Sequence, residues 1–247
     1  MTQTESAILA HARRCAPAES CGFVVRTPEG EMYFPCVNIS GAPEDYFRMA
    51  PEDWLQAEMQ GEIVALVHSH PGGLPYLSEA DRRLQVQSDL PWWLVCRKAI
   101  HKFRCVPHLT GRRFEHGVMD CYTLFRDAYH LAGIDLPDFH RENDWWKNGG
   151  DLYLDNLEST GFYVVTEEEI QPGDILICCF GSSVANHAAI YCGNGELLHH
   201  IPEQLSKRER YSDKWQRRTH SLWRHRAWHA SAFTGICNDL AAASICL

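Results

Sequence analysis

The chain has 247 residues, 45% of them apolar and 22% charged, which is enough for one large domain or two ordinary ones and too apolar for a disordered segment. Its formal net charge of −9 argues against a general nucleic-acid coat, so no nucleic acid is expected among its partners. The opening MTQTESAILAHARR lacks the basic start and long apolar run of a secretion signal. No stretch approaches the roughly 18 uninterrupted apolar residues of a membrane-spanning helix. A soluble protein that stays in the cytosol where it is made, with no membrane span, is therefore expected. The eleven cysteines are odd in number and contain no CxxC pair, which supports neither a cysteine zinc ribbon nor a regular disulfide framework. Most are expected to be buried, reduced thiols acting as small apolar residues.

Residues 4–15 read as a short helix ended by Pro17. ESCGFVVRTPEGEMYFPCVN reads as two strands joined at Pro28-Glu29-Gly30. Pro51 opens and Gly61 closes a helical pattern. Residues 63–67 form a short apolar run, the mark of a buried strand, which delivers His68 and His70 at its end. After a loop rich in Pro and Gly come a helix over 78–88 and an apolar strand over 91–96. This alternation predicts an α/β domain over residues 1–110, and the polar stretch 111–117 is expected to be a linker. A second pattern begins with a helix over 120–132, with Leu124, Ala128 and Leu131 on one face and Gly133 at its end. Residues 138–160, which include Trp145 and Trp146, read as irregular or helical. From Gln171 the pattern is strand-like, with Gly193-Asn194-Gly195 as a hairpin turn. One helix followed by antiparallel strands predicts an α+β domain over 118–230. A C-terminal tail, 231–247, follows, and the small apolar residues from 229 onward carry no assigned role.

Two histidines separated by one residue at a strand end point to the same side, so both can ligate one ion. Asp81, eleven residues beyond His70 on the next helix, can supply a third, oxygen ligand. Three protein ligands leave the fourth tetrahedral position for water, the catalytic arrangement of zinc. Bound zinc lowers the pKa of that water to about 7. A nearby carboxylate then has to take the proton and pass it to the leaving amine, and Glu19 is the candidate. Each piece has a plainer reading. A lone His-x-His is more often an accident, and Ser78-Glu79-Ala80-Asp81 is equally a capping-box helix start. The combination is rare by chance. Glu19, His68-Ser69-His70-Pro71, Ser78 and Asp81 together resemble the signature of the JAMM (MPN) metallopeptidases at every position, over roughly residues 1–105. The resemblance implies an α/β JAMM (MPN-type) domain with Zn2+ as cofactor on His68, His70 and Asp81. It also implies Glu19 as general base and Ser78 as a group stabilising the tetrahedral oxyanion.

A cysteine becomes a nucleophile when a helix N-terminus or a histidine depresses its pKa, and Cys121 sits directly after Asp120 where a helix begins. His187 opens an apolar strand, and His199 lies across the glycine turn on the strand that should pair with it. His187 can serve as general base and His199 as the group that orients it, although a strand histidine is more often a packed or exposed bystander. DCYTLFRDAYHLAGIDLP resembles the Asp-Cys helix and following Gly-Ile-x-Leu-Pro of NlpC/P60 peptidases. Gln171-Pro172-Gly173-Asp174 is similar to that family's entry strand, and HAAIYCGNG to its histidine strand and turn, with His199 at the third polar position. The resemblance runs from about 118 to 228. It implies an α+β papain-like NlpC/P60 domain with a thiolate at Cys121, a base at His187 and an oxyanion hole partly of backbone N–H groups at the helix start. Members commonly cut the stem peptides of the bacterial cell wall, often at D-glutamyl bonds to diaminopimelate, so bacterial peptidoglycan is an expected partner.

The two modules in this order resemble the tail tip assembly proteins of lambda-like bacteriophages, and the resemblance extends through WRHRAWHASAFTGICNDLAAAS. It implies an enzyme with two peptidase sites acting in tail assembly, with other phage tail tip proteins as partners. The implied location is the host cytoplasm during assembly and the virion tail tip. The alternative is a structural assembly factor whose hydrolase folds serve mainly as docking surfaces. A deubiquitinase-like peptidase rests on fold analogy alone. Residues 207–228 hold eight Lys/Arg against two acids, interleaved with three Trp. They read either as a wall- or partner-binding face or as a solvated surface over ordinary strands.

Overall fold

The computed structural model describes residues 1–244; residues 245–247, the last of the small apolar stretch and including Cys246, lie outside the described residues. The chain divides into two compact units, Met1–Val106 and Pro107–Leu247. Among the described residues no helix is long and apolar enough to cross a membrane.

In the first unit, helix α1 (Gln3–Cys15) opens with a capping box, Thr2 accepting from Glu5 N–H and Glu5 from Thr2 N–H. It lies on a five-stranded sheet made of β1 (Cys21–Thr27), β2 (Gly30–Cys36), β3 (Glu62–Ser69), β4 (Trp92–Cys96) and β5 (Ala99–Phe103), in the order β2-β1-β3-β4-β5. The β3–β4 pair is parallel, because α3 (Glu79–Ser88) carries the chain across between them, and the other pairs are antiparallel. Val24, Ala65, Val67 and Val95 pack with Ile8 and Ala12 of α1 on one face. Phe23, Leu66, Trp92 and Leu94 form the core on the other face with Ala57 of α2 (Pro51–Gln60). A sheet covered on both faces explains why FVV and ALV are continuous apolar runs rather than alternating ones. Burial of a side chain such as Phe23 or Leu94 contributes roughly 1.5–3 kcal/mol. Strand β5, AIHKF, was not expected from sequence. It is short and half polar, and it forms only as the outer partner of β4.

The second unit is a six-stranded antiparallel sheet of β6 (Phe162–Val165), β7 (Ile175–Cys178), β8 (His187–Gly193), β9 (Glu196–His199), β10 (Lys207–Arg210) and β11 (Thr219–His225), in the order β10-β9-β8-β7-β11-β6. Helix α4 (Cys121–Leu131) packs on β8, and α5 (Leu152–Asn156) and α6 (Asp213–Gln216) are short. Gly173 is required twice over: its φ is +99°, and a Cβ there would sit 1.8 Å from Cζ2 of Trp228.

Two stretches differ from their sequence reading, and a third fits one of its two readings. Residues 111–117 are built into this unit and do not act as a linker: Arg112 is buried, pairs with Asp127 of α4 at 2.8 Å, and its N–H donates to Ser206 Oγ at 2.9 Å. A charge at that depth needs its buried carboxylate, and breaking such a pair costs about 3–5 kcal/mol. The stretch read as a tail contains helix α7 (Phe233–Ser244), which lies against α4. There Asp239 is fully buried and accepts from Leu109 N–H at 2.8 Å, with His108 Nδ1 at 2.9 Å. In 207–228, Trp215, Trp223 and Trp228 are all buried, while Lys207, Arg208, Arg210 and Lys214 are exposed. The segment therefore has strands with basic side chains outward over an aromatic underside, as the solvated-surface reading expects.

Small residues let α7 approach α4 closely: a Cβ at Gly235 would lie 2.0 Å from the Leu131 carbonyl oxygen, which is backbone and cannot swing aside. Gly235→Ala is expected to cost about 1–3 kcal/mol by overpacking. The loss should show as a lower urea midpoint for the full chain, and an unchanged midpoint would mean that α7 does not dock there.

Candidate active sites

The first site lies where β3 ends. Ser69 N–H donates to the Ser20 carbonyl at 3.1 Å and Ser20 N–H to Ser69 Oγ at 2.8 Å, fastening the end of β3 to the residues beside Glu19. His70 N–H donates to the Val95 carbonyl at 2.9 Å, so the extended direction persists one residue beyond the strand. His68 and His70 therefore emerge on one face. Their Nε2 atoms are 3.1 Å apart, and Asp81 Oδ2 lies 3.3 Å from that of His68 and 3.2 Å from that of His70. A tetrahedral ion with metal–ligand bonds of about 2.0–2.1 Å places its ligands about 3.4 Å apart. The donor set fits zinc by type and by spacing. His70 Nδ1 lies 3.2 Å from the Leu74 carbonyl, which keeps the ring proton there and turns the Nε2 lone pair inward. His68 is wholly buried against the rings of Phe47 and Trp92, at 4.9 and 5.3 Å.

The capping-box reading of Ser78-x-x-Asp81 holds, and its carboxylate also faces the two histidines. Ser78 Oγ accepts from Asp81 N–H at 3.1 Å, and Asp81 Oδ2 accepts from Ser78 N–H at 2.8 Å, a capping box at the start of α3. The same Oδ2 faces the two imidazoles. Burial alone would raise the Asp81 carboxyl, but His68 and His70 hold it well below the usual range. Glu19 Oε1 is 3.8 Å from His70 Nε2. Burial pushes the Glu19 carboxyl up to about 7, opposed by His70 and reinforced by Asp81.

The second site lies at the start of α4. Asp120 is the helix N-cap, accepting from Thr123 N–H at 3.0 Å and Gly117 N–H at 2.8 Å, and Arg141 Nε donates to it at 2.7 Å. Cys121 and His187 line one cavity of about 640 Å3, which Trp145, Trp146, Tyr153 and Phe180 also line. Cys121 Sγ is 3.2 Å from the Tyr153 hydroxyl. Burial and the Asp120 charge push the Cys121 thiol up to about 11, partly offset by Tyr153 and the Ala188 backbone. Burial, with the neighbouring His199 and His200, brings His187 down to about 3, and burial brings His199 down to about 4. At neutral pH all three groups rest uncharged.

His199 is adjacent to His187, with ring centroids 6.1 Å apart, yet among the described residues neither ring nitrogen of His199 has a hydrogen-bond partner, so no bond joins the two rings. Trp215 contacts both rings, at 5.7 Å from His187 and 4.6 Å from His199, and Glu209 Oε2 lies 3.5 Å from His199 Nε2. Sequence reasoning missed Tyr153, Arg141, Glu209 and Trp215. Arg141 and Tyr153 lie in the 138–160 stretch, where no periodicity marks them, and the charge-rich pattern around Glu209 and Trp215 suggested surface.

Residues 1–106 match Prok-JAB, the prokaryotic homologues of the JAB domain, and residues 111–224 match the NlpC/P60 family. The chain is 33% identical to the CysO-cysteine peptidase of Mycobacterium tuberculosis (strain ATCC 25618 / H37Rv) over 105 residues, 39% of this chain and 71% of that one. It is 35% identical to tail tip assembly protein K of Escherichia phage N15 over 234 residues, covering 91% of this chain and 95% of that protein. It is 86% identical to tail tip assembly protein K of Escherichia phage lambda over 196 residues, 79% of this chain and 98% of the phage protein. An α/β JAMM-type unit followed by an α+β NlpC/P60 unit, and identity sustained across nearly the whole of the lambda protein, place this chain in the family of phage tail tip assembly protein K.

Proposed function

We propose that the chain acts in phage tail tip assembly as a hydrolase with two peptidase sites. The first site is a zinc metallopeptidase and the second a thiol peptidase directed at the stem peptides of the cell wall. The observation that carries this reading is the triangle of His68, His70 and Asp81, whose ligand atoms lie 3.1–3.3 Å apart beside Glu19. Two imidazole nitrogens and a carboxylate oxygen converge there without any other partner that all three share.

At the first site, bound zinc supplies the Lewis acidity that lets water ionise near neutral pH. Glu19 takes the water's proton at its carboxylate and passes it to the leaving nitrogen. Ser78 Oγ accepts from Asp81 N–H and keeps its own proton for the oxyanion. At the second site Cys121 Sγ attacks the carbonyl carbon, and His187 takes the thiol proton and hands it to the leaving amine. Backbone N–H groups at the start of α4 receive the oxyanion, and water then releases the acyl group. His199 stands behind His187 as the group to orient it. The neutral resting state of Cys121 and His187 favours a second reading, in which the chain is a structural assembly factor and its hydrolase folds are docking modules. In either reading the partners are other tail tip proteins, in the host cytoplasm and at the virion tail tip.

Elemental analysis of the purified chain is expected to find one zinc per molecule, falling at least tenfold in His70→Ala or Asp81→Asn and unchanged in Glu19→Gln. Stoichiometric zinc in the two ligand variants would end the metal assignment. With the thiol near 11 and the imidazole near 3, alkylation of Cys121 should rise about tenfold per pH unit between pH 6 and 9. A rate that is already flat at pH 5 would reveal a thiolate–imidazolium pair instead. Mass spectrometry of Gram-negative wall treated with the wild-type chain should show cut stem peptides, and Cys121→Ala should abolish them. No cleavage by folded, reduced wild-type protein would favour the docking role.

A further inference from the structure

Attack by a thiol on a carbonyl makes an oxyanion, and removing one donor aimed at it costs about 10²–10³ in rate. The start of α4 supplies part of that need. Thr123 N–H goes to Asp120 Oδ1 and Leu124 N–H to the Asp120 carbonyl, both at 3.0 Å. Among the described residues the N–H groups of Cys121 and Tyr122 have no such partner, as expected in a first helical turn. Most polar side chains of the surrounding cavity are already engaged. Arg141 donates to Asp120, to the Phe139 and Gly117 carbonyls and to Thr123 Oγ1. Asn186 donates to the Phe180 carbonyl and accepts from Phe180 N–H, and His116 Nε2 lies 2.9 Å from the Glu142 carbonyl.

Tyr153 differs. Its hydroxyl lines the same cavity 3.2 Å from Cys121 Sγ, and among the described residues it has no other polar partner. Its place is fixed by its surroundings. The residue is buried, Asp151 caps α5 by accepting from Leu154 N–H at 3.3 Å, and the rings of Trp145 and Tyr122 lie 6.0 and 6.2 Å from its own. Burial, with Cys121 beside it, holds the phenol well above its ordinary range, so the hydroxyl keeps its proton. While the thiol is neutral either group can donate to the other. Once the sulfur has given up its proton, only the hydroxyl can.

We propose that Tyr153 is a catalytic residue of the thiol site, its hydroxyl donating to the developing oxyanion alongside a backbone N–H of the helix start. This rests on the thiol-peptidase reading above. As Sγ bonds to the carbonyl carbon, the π pair moves onto the oxygen and the thiol proton passes to His187. That oxygen is two bonds from the sulfur, so a hydroxyl already touching the sulfur reaches it without any shift of α5. Tyr153 keeps its O–H bond throughout. The electron pair returns as the C–N bond breaks, and the proton on His187 goes to the leaving nitrogen.

The test compares an attack that makes an oxyanion with one that does not. The full, reduced chain is treated with p-nitrophenyl acetate, whose carbonyl carbon becomes tetrahedral, or with iodoacetamide, which loses iodide from a methylene. Each adduct is read on the Cys121 peptide by mass spectrometry. In Tyr153→Phe acetylation should slow about 10²-fold, the loss of one oxyanion donor, and alkylation by less than about threefold. Equal slowing of both would mean that the hydroxyl acts on the thiol alone, and would overturn the inference. Unchanged acetylation would do the same, as would a wild-type Cys121 that is alkylated but never acetylated. Should the phenylalanine variant not fold, Tyr153→3-fluorotyrosine, of nearly the same shape and a stronger donor, carries the test. Acetylation should then quicken relative to alkylation, and a constant ratio would sink the proposal. Acetylation needs no wall peptide, so a supported donor in a chain that cuts no stem peptides counts against the stem-peptide reading alone.

Discussion

The first turn of an α-helix leaves backbone N–H groups without partners inside the helix, and both candidate sites are organised around a carboxylate that answers them. In the first unit Asp81 Oδ2 accepts from Ser78 N–H and at the same time faces the imidazoles of His68 and His70. In the second, Asp120 accepts from the N–H groups of Thr123 and Gly117, and Arg141 balances its charge, which fixes Cys121 at the helix start. An acid at a helix N-terminus is favourable in itself through the helix dipole, typically by 0.3–1 kcal/mol. The local demand of the helix and the geometry of the site are thus met by the same atoms. Neither carboxylate can shift to serve one without disturbing the other.

Burial acts oppositely on the two sites. Around Asp81 burial alone would raise the carboxyl, but the imidazoles of His68 and His70 outweigh that cost, so it stays ionised at depth. Around Cys121 and His187 no strong counter-charge is supplied, and burial suppresses charge on both. The first site thus keeps a negative charge beside two imidazoles, whereas the thiol and imidazole of the second are both held neutral. The difference follows from the neighbours: a carboxylate between two imidazoles in one case, aromatic rings around an imidazole in the other.

Much of this was legible in the sequence where a residue's role depends on near neighbours in the chain. His68 and His70 share a face because strand geometry repeats every two residues, and Asp81 follows Ser78 at the spacing that any capping box requires. The helix after Asp120 and the hairpin at 193–195 declared themselves through the same local rules. Features depending on distant partners were not legible. Arg112 looked like a linker charge because its partner, Asp127, is fifteen residues away. Helix α7 looked featureless because Gly235 gains its meaning only against Leu131 of α4. Tyr153 carries no motif and reaches Cys121 from a short helix thirty-two residues on. Trp215 was hidden in a run of basic residues whose charges face outward while its ring faces in.

The placing of that ring bears on how a proton would be handled. His187 and His199 are almost sealed from solvent, with Phe180 4.9 Å and Trp215 5.7 Å from the ring of His187. Aromatic faces neither accept nor relay protons, so this wall insulates the imidazole from bulk water on that side. The enclosure leaves the cavity that Cys121 and His187 both line as the open side of that imidazole, so whatever reaches the ring must come by way of the thiol.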